Sequence, residues 1–188
     1  MSGFPLCDAC RAEYENPLDR RFHAQPLACA DCGPGLQYHE AGQQQINDTS
    51  AALAAAIRAL LDGKTLAVKG VGGYHLLCDA QNDAAISQLR QLKPRPDKPL
   101  AVMFPERGDD GLRAVLEQVE LTTAEADLLR SPVRPIVLCR TKAGGLSSLI
   151  APGLQETGIM LPYSPLHYLL LDTLDRPVIA TSANISGE

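Results

Sequence analysis

TLAVKGVGGYHLLCDAQNDAAISQLRQLKPRPDKPLAVMF, residues 65–104, carries the pattern that decides the fold. Residues 65–69 are a short apolar run of strand type, closed by Gly70, Gly72 and Gly73, and residues 74–78 read as a second strand. Asp83 then caps a helix carrying Ile86, Leu89 and Leu92, stopped by Pro94. Residues 100–104 are an apolar run of buried-strand length. Outward from this block the alternation continues. Upstream, Thr49 or Ser50 caps a helix in which Leu53, Ile57, Leu60 and Leu61 share a face, and Gly63 ends it. Downstream come helices around 112–119 and 122–129, strands at 135–139 and 158–161, and a helix over 165–174 with Pro165 in its first turn. A last apolar strand, 177–180, runs into Thr181-Ser182-Ala183-Asn184. Alternating strands and helices predict an α/β domain.

The 188 residues are 45% hydrophobic and 21% charged, a globular balance that excludes wholesale disorder and coiled-coil or collagen-like architecture. A net charge of -5 argues against holding nucleic acid by bulk electrostatics, while leaving room for a local basic patch. No apolar run approaches bilayer-spanning length, so no membrane partner is expected. Residues 1–5 lack the charged and apolar regions of a secretory signal, and a soluble, cytoplasmic chain is expected.

Residues 1–45 read as a separate module ahead of the α/β domain of 46–188. They hold four cysteines, scattered charge and no apolar period, so a staple is required. Cys7-x-x-Cys10 and Cys29-x-x-Cys32 have the spacing of a four-cysteine zinc site. Two thiolates three positions apart in a tight turn grip one tetrahedral ion, and a second such knuckle completes the shell. Gly33 lets the second turn form without a Cβ clash. Four ligands leave no open position, which makes the metal structural. The other reading is a pair of disulfides or redox cysteines, against which the missing secretion signal argues. His23 and His39 are alternative ligands or solvated loop residues. Cys78 and Cys139, inside apolar strand patterns, are expected to be buried core residues.

Three further segments carry candidate chemistry. Lys93-Pro94-Arg95-Pro96-Asp97-Lys98-Pro99 sets three cations on a loop stiffened by three prolines, and their mutual repulsion favours an anionic ligand. Read alone, such a loop also fits a solvated connector. Thr181-Ser182-Ala183-Asn184-Ile185-Ser186-Gly187 brings three hydroxyls and an amide into a turn after an apolar strand, a cradle for phosphate or ribose oxygens or simply a capped helix start. Lys69-Gly70-Val71-Gly72-Gly73-Tyr74-His75 lets a ligand approach the backbone, without the spacing of a dinucleotide fingerprint or a P-loop.

Taken together, these segments resemble the hydrogenase maturation carbamoyltransferase family HypF. Cys7-x-x-Cys10, Glu13-Tyr14, residues 19–26 (DRRFHAQP) and Cys29-x-x-Cys32-Gly33-Pro34 are similar to its second zinc finger. The lysine-glycine and lysine-proline segments, with Ile150-Ala151-Pro152-Gly153, Met160-Leu161-Pro162 and residues 181–187, resemble its YrdC-like domain. The resemblance implies a YrdC-like twisted open sheet with flanking helices, preceded by a small four-cysteine zinc finger. It also implies an activity: carbamoyl phosphate and ATP yield carbamoyl adenylate, and the carbamoyl group passes to the C-terminal cysteine of HypE. In that scheme Lys93 and Arg95 are catalytic, holding phosphates together with Lys98. Thr181, Ser182, Asn184 and Ser186 bind phosphate, ribose or the carbamoyl group, and Lys69, Tyr74 and His75 line the carbamoyl end. Zn²⁺ is structural, and Mg²⁺ accompanies ATP. The family's acylphosphatase domain, first zinc finger and C-terminal transfer domain have no counterpart in these residues. Because residues 181–188 end just inside the serine-asparagine motif, the chain is expected to be a piece lacking the closing strands.

Two other functions are compatible with the same segments. One is a threonylcarbamoyl-AMP synthase of tRNA modification, against which the finger and RRFHAQP argue. The other is a non-catalytic module binding double-stranded RNA, against which the acidic balance and the absence of tryptophan argue.

Overall fold

The structure, a computed structural model, describes residues 5–70, 72–93 and 98–184. Its contacts divide the chain into two units, with the division between Ala52 and Leu53.

The larger unit is built on a seven-stranded mixed sheet of order β1-β2-β7-β3-β6-β5-β4. The strands are β1 (Leu66–Lys69), β2 (Tyr74–Asp79), β3 (Ala101–Met103), β4 (Val119–Glu120), β5 (Val137–Thr141), β6 (Glu156–Met160) and β7 (Val178–Ser182). Among these strands β3 and β6 pair in parallel, with Val102 opposite Ile159, and the other strand pairs are antiparallel. The α/β expectation therefore holds, although the sheet is mixed rather than a succession of parallel crossovers.

Side chains alternate between two faces along a strand, and here both faces of the central strands are covered. On one face Cys78, Val102, Ile159 and Ile179 pack with Ile86 and Leu89 of α3 (Asp83–Leu92), Val115 of α4 (Arg113–Gln118) and Leu129 of α5 (Thr123–Arg130). On the other, Leu77, Met103, Met160 and Val178 pack with Ile57 and Leu60 of α2 (Thr49–Leu61) and Leu170, Leu171 and Leu174 of α6 (Pro165–Leu174). That double cover explains the uninterrupted apolar runs in the sequence. β5 is covered on one side only: Val137 and Cys139 are buried, while Leu138 between them is exposed.

Several local expectations are corrected. Asp48, rather than Thr49 or Ser50, caps α2, its Oδ1 accepting from the Ala51 amide at 2.8 Å, while the Thr49 hydroxyl accepts from Leu36 N. Asn82 caps α3 in place of Asp83, accepting from the Ala84 and Ala85 amides. In both cases the residue one position earlier has the shorter reach to the first free amides. Leu92 and Leu61, the last residues of α3 and α2, are exposed where each helix ends. Gly63 ends α2 as expected, with φ of +77° and the Lys64 amide reaching Ala59 O. Thr181 and Ser182 are the last residues of β7 rather than part of the turn after it. The expected stop at Pro94 lies outside the described residues.

In the smaller unit, whose sequence shows no apolar period, Asp8–Glu15 forms a helix, α1.

Leu89 is fully buried between α3 and the sheet. Leu89→Ala is expected to lower stability by about 3 kcal/mol, read as a lower urea midpoint with an unchanged slope.

Candidate functional site

In the smaller unit the four cysteine sulfurs all lie within 4.8 Å of one another, with Cys7 to Cys29 at 3.6 Å and Cys29 to Cys32 at 3.8 Å. A tetrahedron with metal–sulfur bonds of about 2.3 Å has edges of about 3.8 Å, so the donor set fits one zinc ion, and each described cysteine is free rather than disulfide-bonded. The two knuckles differ in build. Cys7 is the N-cap of α1 and Cys10 sits buried inside that helix, so the first knuckle is a helix start rather than a tight turn. The second is a turn closed by the Gly33 amide on Cys29 O at 2.8 Å, where a Cβ on residue 33 would lie 2.6 Å from that oxygen. Burial pushes the Cys10 thiol up, while backbone hydrogen bonds from Cys7 and Cys29 bring Cys32 down to about 6. His23 is not in this cluster. It stacks on Phe22 and Tyr14 with a φ of +52°, and its amide donates to Tyr14 O, strapping the RRFHAQP segment onto α1. Arg21 pairs with Glu13 of α1 at 2.6 Å.

In the larger unit, Lys93 ends α3 in an extended conformation, which turns its side chain away from the helix axis. The side chain is buried, and its ammonium donates to the backbone oxygen of Ser182, to Ser182 Oγ at 3.2 Å and to Asn184 Oδ1 at 3.4 Å. Ser182 Oγ in turn donates to Asn184 Oδ1. Ser182 stands opposite His75 in the β2–β7 ladder, and the Ala183 amide donates to Tyr74 O. The structure therefore brings Lys93, Ser182, Asn184, Tyr74 and His75 to one end of the β2–β7 pair. Lys93 touches the serine-asparagine segment directly. Thr181 is half-buried, paired with Leu76. Lys69 lies opposite Tyr74 in the β1–β2 ladder, its ammonium 5.3 Å from the ring centroid, a cation–π contact. Lys98 is exposed, its carbonyl taking a bond from Arg90, which also reaches Leu149 O and Ile150 O and so ties the α3 end to the 149–150 segment. Arg95 and Ser186 lie outside the described residues.

Beside His75 sit two residues to which the sequence reading assigned no chemistry. Tyr163 Oη lies 3.0 Å from Nδ1 and 3.2 Å from Nε2 of His75. The His167 ring stacks on His75 with centroids 5.7 Å apart and meets Tyr163 edge-on at 4.6 Å. His167 is 1% exposed, and neither ring nitrogen has a hydrogen-bond partner among the described residues. Such an orphaned buried polar atom costs about 1–3 kcal/mol. Burial, reinforced by His75, holds the His167 imidazole down to about 4, and burial raises the Tyr163 phenol. One sequence signal could have found this pair: a histidine sharing the apolar stripe of Leu170, Leu171 and Leu174, just after a tyrosine between two prolines.

Cys78 and Cys139 are core residues as expected, their thiols pushed up to about 12 by burial. No helix among the described residues is long and apolar enough to cross a membrane.

Comparison with known proteins bears on both units. Residues 58–188 match the Sua5/YciO/YrdC family, described as "Telomere recombination", and residues 6–38 match the HypF finger. Carbamoyltransferase HypF of Rhodobacter capsulatus is 48% identical over 187 residues, covering 100% of this chain and 24% of that protein. The crystal structure of full-length HypF in its phosphate- and nucleotide-bound form superposes with a TM-score of 0.83 at 41% identity, over 100% of this chain and 24% of that one. A threonylcarbamoyl-AMP synthase of Vibrio vulnificus is 26% identical over 70% of this chain and 71% of its own length. The chain spans about a quarter of the length of the HypF proteins it matches.

Two measurements follow from this geometry. A strong chelator should release one zinc per chain and remove amide protection from residues 7–33, while the β-sheet amides stay protected; Cys32→Ser should reproduce the loss. His167 supplies a pH test. The unfolded imidazole takes its proton near 6.5 and the folded one only near about 4, so the unfolded state binds more protons between those values. The contribution is whole above pH 6.5 and is lost as pH falls towards 4, a difference of about 3 kcal/mol. Urea unfolding at pH 7 and pH 4.5 should show a smaller acid loss in His167→Leu than in the native chain.

Proposed function

Since the chain belongs to the Sua5/YciO/YrdC family and carries a HypF finger ahead of that domain, we propose that it is the adenylating part of a carbamoyltransferase. Carbamate derived from carbamoyl phosphate is activated with ATP, for delivery of the carbamoyl group to the C-terminal cysteine of HypE by other domains. A carbamate oxygen attacks the α-phosphorus of ATP, an O–P bond forms, the bond from the α-phosphorus to the bridging oxygen breaks, and pyrophosphate departs with that electron pair. Carbamate already carries a negative charge, so no general base is required. What remains for the protein is to align the two reactants and stabilise charge developing on the phosphate oxygens.

The observation that carries this reading is the meeting of Lys93 with Ser182 and Asn184 beside the glycine-flanked start of β2. A buried ammonium held by a carbonyl, a hydroxyl and an amide oxygen is aimed in advance, and phosphate oxygens can replace those weaker acceptors. Arg95 offers a planar fork for bidentate phosphate contact, and Lys98 adds a further cation. Thr181, Ser182, Asn184 and Ser186 hold phosphate, ribose or carbamoyl oxygens. Lys69, Tyr74 and His75 border the acyl end. Mg²⁺ would accompany ATP and would neutralise part of the phosphate charge beside Lys93 and Arg95. Zinc in the finger is structural. A soluble, cytoplasmic setting fits these substrates.

The threonylcarbamoyl-AMP reading is the weaker one, given 26% identity to such a synthase against 48% to a HypF and the finger match.

Titration calorimetry with ATP and Mg²⁺ tests the site. Arg95→Ala and Lys93→Ala are each expected to weaken binding by about tenfold or more, the size of a lost charge-assisted hydrogen bond. Unchanged affinity in both would remove the loop from the site. Threonine, bicarbonate and ATP together should yield no threonylcarbamoyl-AMP.

A further inference from the structure

Tyr163 and His167 have no role in the scheme above, yet their positions make one. His167 is the third residue of α6, whose N-cap is Ser164, and Tyr163 immediately precedes that cap. Both contact His75, which pairs with Ser182. On its other side His75 meets the glycine turn: a Cβ on Gly70 would lie 3.1 Å from His75 Cε1, closer than an ordinary contact. The group therefore adjoins the serine-asparagine segment that holds Lys93.

The chemistry of the enclosed ring narrows what belongs there. A neutral imidazole offers one N–H donor and one lone pair, and among the described residues neither is used. The Tyr163 hydroxyl adds a further group able to donate or accept. A bare anion would satisfy donors only, and a cation acceptors only. A planar group bearing both an N–H and a carboxyl oxygen satisfies the set, and the N-terminal end of a ten-residue helix favours the negative charge of that oxygen.

We propose that His167 and Tyr163, together with His75, form the pocket for the planar amide end of a small acyl substrate, an –NH₂ beside a carboxyl oxygen, and select it against acids in which the amide is missing. This rests on the adenylating function proposed above and deepens it by assigning the specificity of the acyl end. A site built to hydrogen-bond a group rejects analogues lacking it, because its polar atoms would be left unpaired. His167 and Tyr163 thus decide which acid reaches the phosphate, while Lys93 serves the nucleotide.

The test is ATP–pyrophosphate exchange in the full chain, with carbamate supplied by concentrated ammonium bicarbonate and with sodium bicarbonate as the amide-free control. The native protein should exchange with the first and not the second. Tyr163→Phe and His167→Leu should each raise the half-saturating carbamate concentration by about tenfold or more, with half-saturation by ATP unchanged within twofold. His167→Leu should melt no lower than the native chain, since it removes two unpaired buried atoms. Unchanged carbamate dependence in both variants, in an active native protein, overturns the pocket and leaves the adenylating function standing. So does an equal rise for ATP and carbamate accompanied by a lower melting temperature, which marks a merely structural role. Absence of exchange in a native protein that binds ATP overturns the adenylating function, and the pocket with it. If His167→Leu fails to fold, Tyr163→Phe decides, since it removes a single oxygen from a partly exposed side chain.

Discussion

Burial of the central strands on both faces is the constraint from which the rest follows. Val102 and Met103 of β3, Ile159 and Met160 of β6, and Val178 and Ile179 of β7 face opposite ways, and every one of them is buried. Strands enclosed in this way have no face left for polar chemistry, because a buried polar group must find a partner or bear a desolvation cost. Functional side chains are pushed to the strand ends and the connections beyond them. Lys93 follows a helix, Ser182 ends β7, Tyr74 and His75 begin β2, and Tyr163 precedes a helix.

At those ends polar groups from distant parts of the chain are matched to one another. Lys93 is the clearest case. An isolated buried ammonium is costly, and the Ser182 carbonyl, the Ser182 hydroxyl and the Asn184 amide oxygen surround it. His167 is the counterexample: its ring is enclosed and its nitrogens are unmatched among the described residues. Satisfied groups hold a fold together; an unsatisfied one is the exception that calls for an explanation.

The finger solves a different problem. With a single eight-residue helix and a buried Cys10 it has little core, and its sulfurs converge instead. The flanking segment serves this convergence, since His23 on Tyr14 and Arg21 on Glu13 brace the helix that presents Cys10. Four sulfur donors close the coordination shell, which separates the metal from the chemistry assigned to the sheet.

The strands other than β4, whose Val119 was read as the end of a helix, most helix bodies and the cysteine quartet were legible in the sequence, because each rests on local periodicity or spacing: apolar runs, three-to-four-residue stripes, and a turn that allows only Gly33. Helix caps were misread by one residue at Asp48 and Asn82, where competing polar side chains stand side by side and only the hydrogen bond separates them. Sequence also supplied Lys93, Ser182 and Asn184 as candidates, but not their contact, which joins residues 89 and 91 positions apart. Tyr163 and His167 passed unnoticed for the same reason: a histidine on an apolar stripe looks like core until the ring stacked on it is known. What the sequence by itself determined is which segments must be buried and which sulfurs must meet, since burial and metal geometry act through near neighbours. Which polar groups share an end of the sheet was decided by tertiary structure alone, because strand order and register set those distances and neither is written in any short stretch of chain.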